Sequence, residues 1–239
     1  MEKLDLSLNG MNTSEAFESA GTTSVLDTGL YQAMLKAVYL DTTKYGTPVA
    51  NAVVEINGLT KTFPMYIAYK DTKKPVKVVN GQRLVIPGYK QLNSLAYCTT
   101  GLTIDALTQE EKVIKVYDWN TRKEEPQTVL AFSELMGKQI AVGIKKVEKH
   151  KTAKVNGQDL PTTETYFTNE IDRFYTPDGL LAQEKATGSE AKYAVKWKEK
   201  TGQIFQEKLA VTPIAPPIGT AGDMAAATAG TQVKSLFDD

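Results

Sequence analysis

The one histidine and the one cysteine, the side chains that titrate or attack most readily near neutral pH, sit in no catalytic pattern. His150, the one histidine, lies between Lys149 and Lys151, where it reads as a surface or phosphate-facing residue rather than a general base. Cys98, the one cysteine, falls at helical spacing with Leu92 and Leu95 and reads as core. No Gly-rich loop ends in Lys-Ser or Lys-Thr, no GxSxG occurs, and no carboxylate cluster has metal-ligand spacing; Glu110-Glu111 and Glu124-Glu125 are ordinary charge pairs. The expectation is a protein that is not an enzyme and uses no cofactor or metal.

Binding chemistry has more to draw on. Aromatics alternate with cations in several places: Tyr39 with Lys44 and Tyr45; Tyr66 and Tyr69 with Lys70, Lys73 and Lys74; Arg83 with Tyr89 and Lys90; Tyr117 and Trp119 with Arg122 and Lys123. Single-stranded nucleic acid asks for this pairing, because every base offers a face to stack on and every nucleotide a phosphate to neutralise. Duplex readers usually present a basic recognition helix, and the sequence shows none. Each aromatic has an alternative place in the core, with Phe63, Tyr97 and Phe132 the first expected there.

The densest charge lies in residues 137–154, GKQIAVGIKKVEKHKTAK. Ile140, Val142 and Ile144 alternate with Gln139, Ala141 and Gly143, the period of a strand with one buried face. Lys138, Lys145, Lys146, Lys149, Lys151 and Lys154 stand against the single acid Glu148, a local surplus of +5 in a chain of zero net charge. Such a strand can line a polyanion groove, or it can be a solvated, edge-protecting strand; both readings stay open.

Around these residues the chain organises simply. Its 239 residues can hold one large core. A single cysteine excludes a disulfide framework. No apolar run approaches the roughly 20 residues that cross a bilayer, and MEKLDLSLNG lacks the order of a secretion signal, so a cytoplasmic protein without a membrane partner is expected. Residues 1–26 carry a net −3 and residues 211–239 a net −2, which leaves +5 on the middle. Residues 1–26 read as a flexible acidic arm and 212–239, rich in Pro, Ala, Gly and Thr, as a disordered tail. The tail's tip, Leu236, Phe237, Asp238 and Asp239, pairs apolar anchors with acids and reads either as a tethered docking peptide or as a frayed terminus.

Between them, strands are expected over 30–40, 49–56 and 61–69, joined through Gly46 and the hairpin signal Asn57-Gly58. Residues 70–81 read as a basic loop closing on Asn80-Gly81. A short helix over 89–98, strands over 112–119 and 128–132, the basic strand, a turn at Asn156-Gly157 and a return strand over 163–172 follow. Gly179 opens a polar loop, Ser189 caps a helix over 190–200, and a last strand covers 203–211. The fold class expected is mainly β: an OB-like antiparallel barrel or strongly curled sheet over 27–211 with a few short helices.

Several stretches resemble a family of single-stranded DNA-binding proteins from short-tailed bacteriophages that package their own RNA polymerase. They are Leu26-Asp27-Thr28-Gly29-Leu30-Tyr31 through Ala37-Val38-Tyr39-Leu40-Asp41, Pro87 to Leu95 with Thr99-Thr100-Gly101, Lys115-Val116-Tyr117-Asp118 with Lys123-Glu124-Glu125-Pro126, Gly137-Lys138, and Asn169-Glu170-Ile171-Asp172. The resemblance spans about residues 26–175. It implies an OB-like barrel, cooperative binding of single strands in phage replication, recombination and late transcription, and a host-cytoplasmic setting. It also implies an acidic C-terminal tip that meets a phage or host polymerase or another replication protein. The tip departs from that pattern, since only two acids follow Phe237. A transcription cofactor that holds melted promoters, and a scaffold or adaptor protein, are the alternative functions.

Overall fold

The computed structural model describes residues 25–118, 121 and 123–215. Trp119, Arg122 and the tip residues Leu236 to Asp239 lie outside them, as do residues 1–24. Among the described residues the protein is mainly β, with ten strands and three α-helices. They divide into two compact units: one holds the chain up to Lys149 together with Phe167–Lys208, the other His150–Tyr166 together with the chain from Leu209.

The first unit is built on β1 (Gly29–Thr42). One edge of β1 pairs antiparallel with β2 (Pro48–Ile56), and β2 pairs with β3 (Leu59–Tyr66) through the Asn57-Gly58 turn. Both turn residues have positive φ, 51° and 77°, which Asn and Gly tolerate and a two-residue hairpin needs. The other edge of β1 serves two partners. Gly29 to Met34 pair with β8 (Gln139–Val155), and Tyr39 and Leu40 pair with β7 (Lys123–Phe132). Between those two ladders the β1–β2 register slips at Lys36, a bulge that bends the strand toward its second partner. The start of β8 is fastened at the same place, where Leu35 N–H donates to Lys138 O at 2.9 Å and Gly137 N–H to Leu35 O at 2.7 Å.

β6 (Gln109–Asp118) extends the sheet by pairing with β7, and β9 (Gln158–Tyr175) pairs with β8. The hydrogen-bonded order β10-β8-β1-β2-β3 ends on β3, and no ladder among the described residues joins β3 back to β9 or β10. The architecture is thus an antiparallel sheet with one short parallel strand at its β10 edge.

Helix α1 (Pro87–Thr100) fills the main core. Proline opens it, where the missing N–H costs nothing, and Gly101 closes it at φ 81°, donating to Tyr97 O. Leu92, Leu95 and Ala96, at helical spacing, bury against Leu35, Val54, Phe63 and Phe132. Gly88 permits the close approach: a Cβ there would stand 2.2 Å from Tyr66 O.

Three expectations are corrected. Residues 70–81 are not all loop, because β4 (Val76–Val79) and β5 (Gln82–Val85) form a separate two-stranded hairpin about Asn80-Gly81. The polar stretch after Gly179 contains α2 (Ala182–Thr187), and α3 starts at Lys192 and ends at Lys198 rather than running from Glu190 under a Ser189 cap. The buried Glu184 carboxylate explains both: it accepts Leu181 N–H at 2.9 Å and Tyr193 N–H at 3.1 Å, capping two helices at once. The last strand shrinks to β10 (Ile204–Gln206), which runs parallel to Lys146–Glu148 of β8. Trp197 of α3 is buried, donates from Nε1 to Gly29 O at 3.1 Å, and stacks on the bare backbone of Gly143.

In the second unit the outer parts of β8 and β9 meet at Asn156-Gly157, both at positive φ. Thr163 N–H donates to Ile214 O at 2.8 Å and Ile214 N–H to Pro161 O at 2.9 Å, so the chain after Leu209 is fastened to β9.

Candidate nucleic-acid interface

The basic strand is less basic folded than spelled. Its antiparallel partner β9 carries Glu164, Glu170 and Asp172 at even spacing, and each of these three meets a lysine of β8. Lys145 pairs with Asp172, Lys149 with Glu170 at 2.7 Å and, in the second unit, Lys151 with Glu164 at 2.9 Å. Lys146 reaches Asp27 at 3.0 Å. Over residues 137–175 seven Lys and Arg face five Asp and Glu, so most of the surplus counted on one strand is cancelled by its neighbour. Lys145 is further occupied over the rings of Trp197 and Phe205, 5.8 and 5.3 Å from their centroids. Lys154, in the second unit, is exposed.

An open groove lies beside β3. Leu59 to Phe63 of this edge strand form one wall, Tyr117 of β6 and Phe167, Thr168 and Asn169 of β9 another, and Val25 closes it, around a volume of about 680 Å³. That is the size range of a site for a small organic ligand or a base with its sugar. Tyr117 and Phe167 are 45% and 43% exposed. Lys146 Nζ sits 5.2 Å from the Phe167 centroid. Lys61 lines the wall, and burial pulls its ammonium pKa below the usual lysine value. Asn169 clamps the chain ahead of β1 by accepting Leu26 N–H and donating to Leu26 O.

Two basic turns gather at the far end of β3. The turn Thr43 to Thr47 is closed by Thr43 N–H to Thr47 O at 3.0 Å, and the turn Tyr69 to Lys74 by Tyr69 N–H to Lys74 O at 3.0 Å. Lys73 Nζ donates to Gly46 O, so the two turns touch. Lys44 lies 5.0 Å over the ring of Tyr45, which is 66% exposed, and Tyr66, 52% exposed, ends β3 beside them. Lys77 lies 5.9 Å over Tyr69 and 3.9 Å from Asp71. Residues 70–85 hold Lys70, Lys73, Lys74, Lys77 and Arg83 against Asp71 alone, a net +4 on exposed side chains. Among the described residues no acidic strand pairs with this positive charge, since β4 and β5 pair only with each other.

The remaining candidates disperse. Tyr39 is 4% exposed, packed with Ala37, Ala131, Ile114 and Val116, and is corrected from a stacking residue to a core one; burial, with Asp41 adding, raises its phenol pKa. Tyr89 is half-buried against the main core. Lys90 lines a cavity of about 200 Å³ with Arg173 and Phe174, too small for a nucleotide. Arg83 is exposed on β5 and Lys123 at the start of β7. Phe63 and Phe132 are core, whereas Tyr97 is half-buried under Lys185. Cys98 is buried and its thiol is pushed up to about 11, chiefly by desolvation. In the second unit His150 Nδ1 lies 2.6 Å from Thr162 O. Sequence reasoning missed Lys61 and Phe167; the signal available was Phe167 two positions before Asn169 on a strand flanked by lysines.

Among the described residues no group of His, Cys, Asp and Glu could hold a metal ion, and no helix is long and apolar enough to cross a membrane. Neither a family model nor a curated protein matches the sequence.

Proposed function

We propose that this protein binds single-stranded DNA with little sequence preference, through the groove beside β3 and the basic turns at its far end. The observation that carries the reading is the pair of exposed rings, Tyr117 and Phe167, lining one groove with Lys61 at its wall. Stacking on rings is indifferent to base identity, and lysine meets phosphates as a point charge, so the chemistry favours strand over sequence. β3 spans eight residues, about 23 Å at roughly 3.3 Å per step, and links the groove to Tyr66, Tyr45, Lys44 and Lys73. A strand of several nucleotides fits that length, within the 4–16 typical of compact single-strand binders. The longest helix, α1, is spent on the core and cannot serve as a recognition helix for a duplex.

The resemblance to phage single-stranded DNA-binding proteins supports the same reading and supplies its setting, namely replication, recombination and transcription of phage DNA. Titration with oligothymidylate against duplex of equal length, over a series of salt concentrations, tests it. Tight, salt-sensitive binding to the single strand with a much weaker response to duplex is the expected result. Equal binding to both, or none, would favour an adaptor whose basic turns meet an acidic protein.

A further inference from the structure

The β4–β5 hairpin is a small structure with an unusual surface. Its strands have four residues each, joined by Asn80 and Gly81 at φ 50° and 76°. The base is closed by Ile86 N–H donating to Pro75 O at 2.9 Å, with Val76 and Val85 half-buried there. Beyond the base everything is exposed, including Val78 at 63%, Val79 at 40% and Leu84 at 46%. Two-stranded hairpins of this length are marginal in water, and exposed aliphatics do not help them.

The register shows how those side chains are distributed. Val78 stands opposite Arg83, and Lys77 stands opposite Leu84. Directly opposed residues share a face and successive residues alternate. One face therefore carries Val78 beside Arg83, the other Leu84 and Val79 beside Lys77. A hairpin packed on a core would be apolar on one face and polar on the other. This one presents an aliphatic group and a cation on both.

We propose that the β4–β5 hairpin is a wedge for the junction between single-stranded and double-stranded DNA. It enters at the last base pair, so that each face meets one of the two parting strands, aliphatic carbon against an unstacked base and cation against its phosphate. This rests on the single-strand reading above. Three observations single out DNA over a protein or lipid partner. Residues 70–85 carry net +4, which suits a polyanion. The apolar side chains are aliphatic, the kind that part base steps, whereas the rings suited to stacking lie elsewhere in the unit. The hairpin also grows from the turn of Lys73 and Lys74, which touches the Lys44–Tyr45 turn, so a strand freed by the wedge is delivered to the basic turns.

The test uses full-length protein and a duplex with an oligothymidylate tail, carrying 2-aminopurine at the first paired position. Wild type should raise 2-aminopurine fluorescence and bind the tailed duplex at least fivefold tighter than the tail alone. V78S/V79S/L84S changes exposed positions only, and its melting curve confirms folding. It should keep its affinity for the tail within twofold while losing the fluorescence rise and the junction preference. K77A/R83A should lose the preference as well, and the remaining salt sensitivity should fall. An unchanged fluorescence rise in V78S/V79S/L84S would overturn the proposal, as would an equal loss of tail and junction affinity, which would make the hairpin part of the single-strand track. Self-association of free wild type, or binding to anionic vesicles, that the same substitutions abolish would also overturn it in favour of a protein or lipid face. Failure of wild type to bind the tail at all would instead remove the single-strand reading.

Discussion

Asn169 holds Leu26 in both directions. Its Oδ1 accepts the Leu26 N–H at 2.8 Å and its Nδ2 donates to the Leu26 carbonyl at 2.7 Å, across 143 residues of chain. One side-chain amide thus does the work of a sheet pair, joining β9 to the segment ahead of β1. Asn169→Ala should lower stability by about 1–3 kcal/mol, because two part-buried backbone groups lose their partners. Single-strand affinity should fall with it, since Asn169 and Val25 both border the groove. Chemical denaturation and oligothymidylate titration of the same variant check both effects.

Charge substitution should separate the two basic regions. Replacing Lys70, Lys73, Lys74 and Lys77 with Ala should flatten the dependence of log K on log salt by about 0.7 for each phosphate no longer neutralised, with little change in melting temperature. Replacing Lys145, Lys146, Lys149 and Lys151 should flatten it less and lower the melting temperature more, because those ammonium groups already face Asp172, Asp27, Glu170 and Glu164. A larger salt effect from the second set would return the organising role to β8.

Aromatic substitutions should divide by burial. Tyr117→Ala and Phe167→Ala should each weaken oligothymidylate binding by about 1–3 kcal/mol per base stacked, with near-native melting. Tyr39→Ala should do the reverse. Its ring is 4% exposed, so truncation leaves a cavity that costs about 3–5 kcal/mol of stability.

Gly88→Ala couples fold to site. The added methyl would stand 2.2 Å from Tyr66 O and 2.6 Å from Tyr66 N, so α1 or the end of β3 must move. A drop in melting temperature, accompanied by weaker binding through the displaced Tyr66, is expected. Both are read by thermal melting and titration.

Alkaline pH should destabilise the protein through two buried groups. Desolvation, the leading cause in each, pushes the Cys98 thiol from 9.0 to about 11 and the Tyr175 phenol from 10.0 to about 12. The folded chain therefore holds both protons more tightly than the unfolded chain does. Their contribution is fully present below pH 9 and is lost as pH rises through the window from about 9 to 12. Melting temperatures measured across that range should fall, and fall less steeply in Cys98→Ala with Tyr175→Phe. Cys98 should resist alkylation at pH 8 in the native state and react on unfolding.

Sequence alone determined what depends on near neighbours. The turn at Asn57-Gly58 and that at Asn156-Gly157 are local because positive φ is a property of those residues themselves. Alternation along one strand foretold the burial of Ile140, Val142 and Ile144. Ala141 and Gly143, expected on the opposite face, are buried too, because Ala194 and Trp197 of α3 cover that face. Tertiary structure decided what depends on distant partners. Lys145 and Lys149 are half-spent on Asp172 and Glu170, because an antiparallel return lays one strand's charges against the other's. Tyr39 went to the core because β6 and β7 cover its face, and Tyr117 to the surface though it alternates with cations in the same way. Ser189 looked like a helix cap, but Glu184 took that role from another helix, since a buried carboxylate gains more from two N–H donors than an exposed hydroxyl gains from one. Patterning fixes which face of an element is apolar; only packing decides what comes to lie on it.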